Sequence, residues 1–144
     1  RIKEICDICA AWGIVVIEDA AESLGSYVGK KHTGTFSLMA SFSFNGNKII
    51  TTGGGGMLIT NNLKLAKKAK HITTTAKLAH PYEFIHDDEA FNYRLPNINA
   101  ALGCAQMESL DIILDNKRLL AEEYNAFFEE KSSTSPISLS RHIM

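Results

Sequence analysis

An α/β fold is predicted by three features of the sequence: a helical repeat that ends in glycine, a β-branched run directly after it, and an alternating run that leads past a lysine into four consecutive glycines. Ile2, Ile5, Cys9 and Trp12 recur at helical spacing, and Gly13 stands where a glycine commonly closes a helix. Ile14–Ile17 is continuously apolar and β-branched, the pattern of a strand buried on both faces of a parallel sheet, so an inner strand is placed at Ile14–Glu18. Helix followed at once by strand is the alternation that builds an α/β sheet. Glu22–Phe36 carries Gly25, Gly29 and Gly34 with Lys30, Lys31 and His32, and reads as a short helix, a turn and a loop over the sheet edge. Ser41–Phe44 alternates polar and apolar side chains, the two-residue period of a half-buried strand. Gly56–Thr60 is a further short strand, and Asn61 or Asn62 caps a helix running to about His71, its exposed side marked by Lys64, Lys67, Lys68 and Lys70. Thr73–Pro96 has no clear period, and long irregular stretches in compact domains are often functional. Two helices are expected at Pro96–Leu114 and Asn116–Glu130, then an irregular, serine-rich tail from Lys131 to Met144.

The chain has 144 residues, 45% of them hydrophobic and 22% charged, enough for one modest domain with its own core. A formal net charge of −1 gives no electrostatic basis for binding nucleic acid or an anionic membrane. No apolar run approaches the ~20 residues that cross a bilayer. The opening RIKEICDICAAWG is charged and helical, unlike a signal peptide, and lacks an initiator methionine, which suggests an entry point inside a longer protein. Cys6 and Cys9 form a C-x-x-C, but a structural zinc needs four ligands and no second pair stands at a suitable spacing. They share one helix face and are expected to help bury it. Three cysteines fit a reducing cytoplasm better than a disulfide framework. His71, His80 and His86 show no metal spacing, so no metal site is expected.

Two short segments carry candidate chemistry. The first places Lys48 between the Ser41–Phe44 strand and Gly53–Gly56, whose glycines accept positive φ or a close ligand. A lysine there lies at the rim of a sheet, where ligands bind in open α/β folds; an exposed loop lysine is the plain alternative. The second is Glu18-Asp19-Ala20-Ala21, at the carboxyl end of the first strand. Asp19 is either a ligand-binding acid at that edge or a cap for the segment after the strand. A dinucleotide site would need G-x-G-x-x-G about 20 residues upstream, where the chain does not extend, and no P-loop occurs.

Together the segments resemble a known family. E-D-A-A, then about 29 residues to the lysine of S-F-S-F-x-x-x-K, then a glycine turn and a strand, is similar to the sugar-nucleotide aminotransferases called the DegT/DnrJ/EryC1/StrS family. FNYRLPNINAALGCAQMESL, Phe91–Leu110, resembles a third motif of the same family. The resemblance covers roughly residues 1–130. NGNKIITTGGGG and HITTTAKLAHPYEF look most like the branch that aminates 4-keto-6-deoxy sugar nucleotides on the way to legionaminic-type nonulosonic acids.

The resemblance implies part of a three-layer fold type I large domain with its C-terminal helices over 1–130, a mostly parallel sheet with one antiparallel strand, and pyridoxal 5′-phosphate as cofactor. It implies Lys48 as the catalytic, Schiff-base lysine, Asp19 as the partner of the pyridinium nitrogen, and Ala21 as the small residue flat against the ring. It implies Ser43 on the cofactor phosphate, although an ordinary strand hydroxyl is the alternative. Asn92 would reach the phosphate of a neighbouring subunit's cofactor, which makes the protein a homodimer with shared sites. Glu22 stands where much of the family has Gln or His, near the ring hydroxyl, and its role stays open. Ala90 replaces the family's glycine before Asn92, which bears on its reach. Arg94 is either a carboxylate or phosphate ligand or half of a structural ion pair.

The implied reaction is transamination of a nucleotide-linked keto-deoxy sugar with glutamate as donor, in the cytoplasm. Two alternatives stand beside it. One is a sugar dehydratase on the same fold and cofactor, in which histidine replaces the lysine, so that Lys48 argues against it. The other is a catalytically inactive fragment, since the family's phosphate-binding helix start and ring-stacking aromatic precede the matched segment and its small domain comes after it. A sheet so truncated is expected to expose apolar surface.

Overall fold

The computed structural model describes residues 1–132. In chain order its elements are α1 (Ile2–Ala11), β1 (Ile17–Asp19), β2 (Tyr27–Val28), β3 (Lys31–His32), β4 (Met39–Ser43), β5 (Gly56–Ile59), α2 (Leu63–Ile72), α3 (Asn97–Glu108) and α4 (Leu110–Ser132). They divide into two compact units, Arg1–Met107 and Glu108–Met144.

The first unit has the predicted alternation. α1 ends in a Schellman turn: Gly13, at φ +66°, donates to the Ala10 carbonyl, and Ile14 donates to the Cys9 carbonyl. β1 then pairs in parallel with β4, Ile17 opposite Met39 and Asp19 opposite Ser41. β5 pairs antiparallel on the other side of β4, Ala40 opposite Ile59 and Ser43 opposite Gly56. The order β1-β4-β5 makes β4 the central strand.

Several sequence expectations are corrected here. The first strand starts at Ile17 rather than Ile14, because its ladder is set by β4, which offers nothing earlier than the Leu38 N–H bonded to the Val16 carbonyl. β1 is also an edge strand of the described sheet, not an inner one. Ile14, Val15 and Ile17 are accordingly 59%, 62% and 67% exposed instead of buried on both faces. Apolar surface is therefore exposed at this edge of the sheet. The central strand runs Met39–Ser43, shifted from Ser41–Phe44, and the antiparallel strand Gly56–Ile59 agrees with its expectation. Between Glu22 and Phe36 there is no helix; β2 and β3 form a small antiparallel hairpin, Tyr27 opposite His32.

Alternation divides the sheet into two faces. Glu18, Ala40 and Phe42 share the buried face; Asp19, Ser41 and Ser43 share the other. The buried set includes Ala20, Phe44, Ile50 and Ala76, with Glu18 and Thr52 as its polar members. Glu18 is fully employed. Oε2 accepts the Gly34 N–H at 2.6 Å, and Oε1 accepts Phe36 N–H at 2.8 Å, Ser37 N–H at 2.9 Å and the Ser37 hydroxyl at 3.0 Å. Burial would push this carboxyl up, yet the bonds from Gly34, Ser37 and Phe36 outweigh it and hold it below its ordinary value.

Asn62 caps α2, its Oδ1 accepting from Lys64 N–H at 3.0 Å and Leu65 N–H at 3.2 Å. Thr73 and Thr74 turn their hydroxyls onto the Ala69 and Lys70 carbonyls at the other end. The irregular stretch beyond α2 is tied back through bridges Thr74–Asn92 and Lys77–His86, by a hydrogen bond between His71 and Asp87 and by the ion pair Lys68–Asp88. The helical break expected near Asp115 lies at Ser109, a favoured N-cap type, between α3 and α4. In the second unit α4 carries its own aromatic cluster, Phe127 edge-on to Phe128 and Tyr124 stacked on it. Lys131 and Ser132 belong to α4 rather than to the irregular tail, and the rest of that tail, 133–144, lies outside the described residues. No helix among the described residues is long and apolar enough to cross a membrane.

Candidate active site

The lysine turn is built from both ends. Phe44 donates its N–H to the Gly55 carbonyl and accepts the Thr52 N–H, closing residues 44–55 into a loop at the end of β4. Ile50 and Thr52, both 2% exposed, sink into the core and leave Lys48 between them and the strand. Gly53 and Gly55 take φ of +80° and +100°, the positive values expected of this glycine run.

α3 clamps the same loop. Gln106 Oε1 accepts the Thr51 N–H at 2.6 Å, and Asn99 Nδ2 donates to the Thr52 carbonyl at 2.5 Å. Gly103 completes the clamp, since a Cβ there would stand 2.9 Å from Thr52 Cγ2. Sequence reasoning missed these three residues as parts of the site. The signal was present in NINAALGCAQ, where positions 99, 103 and 106 recur at helical spacing on one face.

Lys48 is bonded to Glu22, Nζ donating to Oε1. The lysine side chain is 13% exposed and the glutamate 77%. The structure thus brings together two residues 26 apart in sequence, and Glu22, whose role the sequence left open, is the ionic partner of the candidate lysine.

Asp19 sits at the carboxyl end of β1, opposite Ser41 of β4. Its Oδ1 accepts the Ala21 N–H at 3.0 Å, while the Ala20 N–H bonds the Ser41 carbonyl at 2.9 Å. Asp19 therefore caps the turn at Ala20–Ser23 and still presents Oδ2, which takes no hydrogen bond among the described residues. The carboxylate is exposed, whereas its neighbour Glu18 is the buried one. Ala21 is half-buried in the same turn. Ser43 ends β4 on the Asp19 face, with Oγ accepting the Asn45 N–H at 3.3 Å.

Asn92 makes no hydrogen bond to these groups among the described residues. It lies in the bridge to Thr74, its Oδ1 receiving the Arg94 N–H at 3.5 Å. Arg94 lines a cleft with Ser41, Gly54, Gly56, Tyr93 and Asn99, and also borders a second cleft with Lys77 and His80. Its guanidinium forms no ion pair among the described residues. Cys6 and Cys9 are half-buried free thiols, and burial first, then the nearby Glu18 charge, raises the Cys6 pKa.

Known proteins resemble the chain in sequence and fold. GDP-perosamine synthase of Vibrio cholerae is 40% identical over 125 residues, 87% of this chain and 34% of that protein. The structure of Helicobacter pylori PseC, an aminotransferase involved in the biosynthesis of pseudoaminic acid, matches with a TM-score of 0.74 at 29% identity, over 78% of this chain and 30% of that one. The E. coli GDP-4-keto-6-deoxy-D-mannose-3-dehydratase, solved with bound hydrated PLP, matches with a TM-score of 0.80 at 25% identity, over 88% of this chain and 36% of that one. The chain spans about a third of the length of the curated relatives it matches. The α/β architecture is thus part of the fold type I domain of such enzymes. The model of the DegT/DnrJ/EryC1/StrS aminotransferase family matches residues 1–142, and the chain belongs to that family.

Proposed function

We propose that this chain supplies the lysine edge of a pyridoxal 5′-phosphate-dependent aminotransferase that aminates a nucleotide-linked keto-deoxy sugar. The carrying observation is Lys48: a primary amine on a rigidly clamped turn, its stem enclosed, its head turned to Glu22 just past the end of β1. The donor set fits the cofactor. An amine suits an aldehyde, the Oδ2 of Asp19 suits a protonated ring nitrogen, and the hydroxyl of Ser43 suits a phosphate oxygen. When bound, the cofactor supplies an electron sink for the carbon that loses its proton.

The residues of the chain then have distinct tasks. Lys48 holds the cofactor and carries a proton at Nζ, a role lysine suits because its amine changes protonation readily on desolvation. Asp19 keeps a negative charge where a cationic ring nitrogen is favoured. Ala21 keeps the space above the turn free of side-chain bulk. Asn92 acts toward a neighbouring subunit's cofactor phosphate in a homodimer. Arg94, free of ionic partners among the described residues, is available to a carboxylate or phosphate of substrate.

Glutamate is the proposed amino donor, and the cytoplasm the proposed compartment. GDP-perosamine synthase and PseC, the relatives named above, support a nucleotide-sugar substrate; the product class proposed is an amino sugar bound for nonulosonic acids. Turnover is proposed for a protein that carries the segments present in full-length relatives, and the chain alone is proposed to be inactive. The dehydratase alternative is disfavoured by Lys48 itself.

The test is cofactor attachment. Incubation with pyridoxal phosphate and reduction with borohydride is expected to label the peptide containing Lys48, and Lys48→Ala to abolish both the label and transamination by the longer protein. A label retained in Lys48→Ala, for instance on Lys77, moves the nucleophile and refutes the assignment.

A further inference from the structure

We infer that Glu22 is a positioning residue for Lys48, holding its ammonium at the carboxyl edge of the sheet and masking it until the pair opens. The inference deepens the function proposed above and rests on Lys48 being the cofactor lysine. Three observations carry it. Among the described residues, Glu22 Oε1 is the sole polar partner of Lys48 Nζ, and Lys48 the sole polar partner of Glu22. The pair is not a local helix contact, since its members are 26 residues apart and sit on the turns beyond β1 and β4, the two parallel strands. Its burial is lopsided: the lysine stem is enclosed at 13% exposure, while the carboxylate stands in water at 77%.

That asymmetry defines what the pair can do. The enclosed stem gives the ammonium little freedom, so its direction is set by whatever charge faces it. An exposed carboxylate can swing away at small cost, because an ion pair with one solvated partner is weak. Glu22 therefore orients the amine without locking it. A neutral Gln could still accept a hydrogen bond from the ammonium but would bring no opposite charge to it.

The experiment reads Lys48 without any cofactor. The chain is treated with limiting acetic anhydride, and acylation of each lysine is quantified by mass spectrometry. Lys64, exposed on α2 and outside any ion pair among the described residues, is the internal reference. Glu22→Gln is expected to raise Lys48 acylation relative to Lys64 by about two- to fivefold, the span such a pair provides. Glu22→Asp, one methylene shorter, is expected to fall between. In 1 M salt, where screening acts over ~3 Å, the wild-type ratio should rise toward that of Glu22→Gln while the variant stays unchanged. Equal ratios in wild type and Glu22→Gln at low salt, with circular dichroism showing both folded, overturn the inference. Loss of the borohydride label at Lys48 would instead overturn the cofactor assignment and leave the pair intact.

Discussion

Replacing Glu18 with Gln tests whether the buried carboxylate, rather than the exposed one beside it, organises the sheet edge. Glu18 accepts four hydrogen bonds, one on Oε2 from Gly34 and three on Oε1 from Phe36 and Ser37. Glutamine keeps one oxygen and can satisfy the Oε1 set. Its NH₂ must then face the Gly34 N–H, donor against donor, in a buried place. A hydrogen bond to a charged group is worth about 1.5–3 kcal/mol, and an unsatisfied buried donor costs about 1–3 kcal/mol. The three surviving bonds also lose their charge assistance. A loss of about 2–4 kcal/mol in unfolding free energy is therefore expected at neutral pH. The sign with pH is set by the lowered folded-state pKa of Glu18. Its stabilisation is fully present above the unfolded carboxylate pKa of about 4.3 and is lost as pH falls through the lower folded value. Urea titrations of the chain at pH 7 and at a series of acid pH values measure both. Wild type should lose stability into acid more steeply than Glu18→Gln, and the two should converge. A variant within about 0.5 kcal/mol of wild type at pH 7, or one with an unchanged acid limb, would refute the reasoning.

Asp19→Asn separates the two readings of that residue: asparagine keeps an oxygen for the Ala21 N–H, so the turn should survive, yet it cannot stabilise a cationic ring nitrogen. Cofactor labelling should persist while transamination by the longer protein falls more than tenfold, about 1.4 kcal/mol of barrier, and a smaller loss would leave Asp19 a turn cap alone. Gly103→Ala should lower the melting temperature even though alanine gains about 0.8–1 kcal/mol of helix propensity, because the new methyl meets Thr52 Cγ2 at 2.9 Å in the core. A raised melting temperature would show that the clamp on the lysine turn yields freely.

The parts of the fold that the sequence disclosed are those fixed by local chemistry. Gly13 ends α1 because a Schellman turn needs positive φ, and Asn62 starts α2 because its carbonyl reaches two orphan N–H groups. Both signals act within a few residues. The strand bounds were less legible because a ladder is settled by the partner: Ile14–Val16 is as β-prone as Ile17, but β4 reaches back only to Met39. The hairpin from Tyr27 to His32 has a local signal too. Val28-Gly29-Lys30-Lys31 is a two-residue loop with glycine first, a recognised hairpin pattern hidden by strands of only two residues. At the site, the parallel pairing of β1 and β4 brings Asp19, Ser43 and the turn that carries Lys48, candidates named from the motifs and the family resemblance, to the same edge of the sheet. The motifs did not divide labour between Glu18 and Asp19. That division comes from the period of two: adjacent strand residues face opposite sides, so only one acid can enter the buried face, and the donors at Gly34, Phe36 and Ser37 decide which. Glu18 anchors the segment leading into β4, and Asp19 is thereby turned to the face that carries Ser43. Parallel pairing puts the carboxyl ends of both strands at one edge, so the turns after them can meet at Glu22 and Lys48, a contact that no local pattern announces.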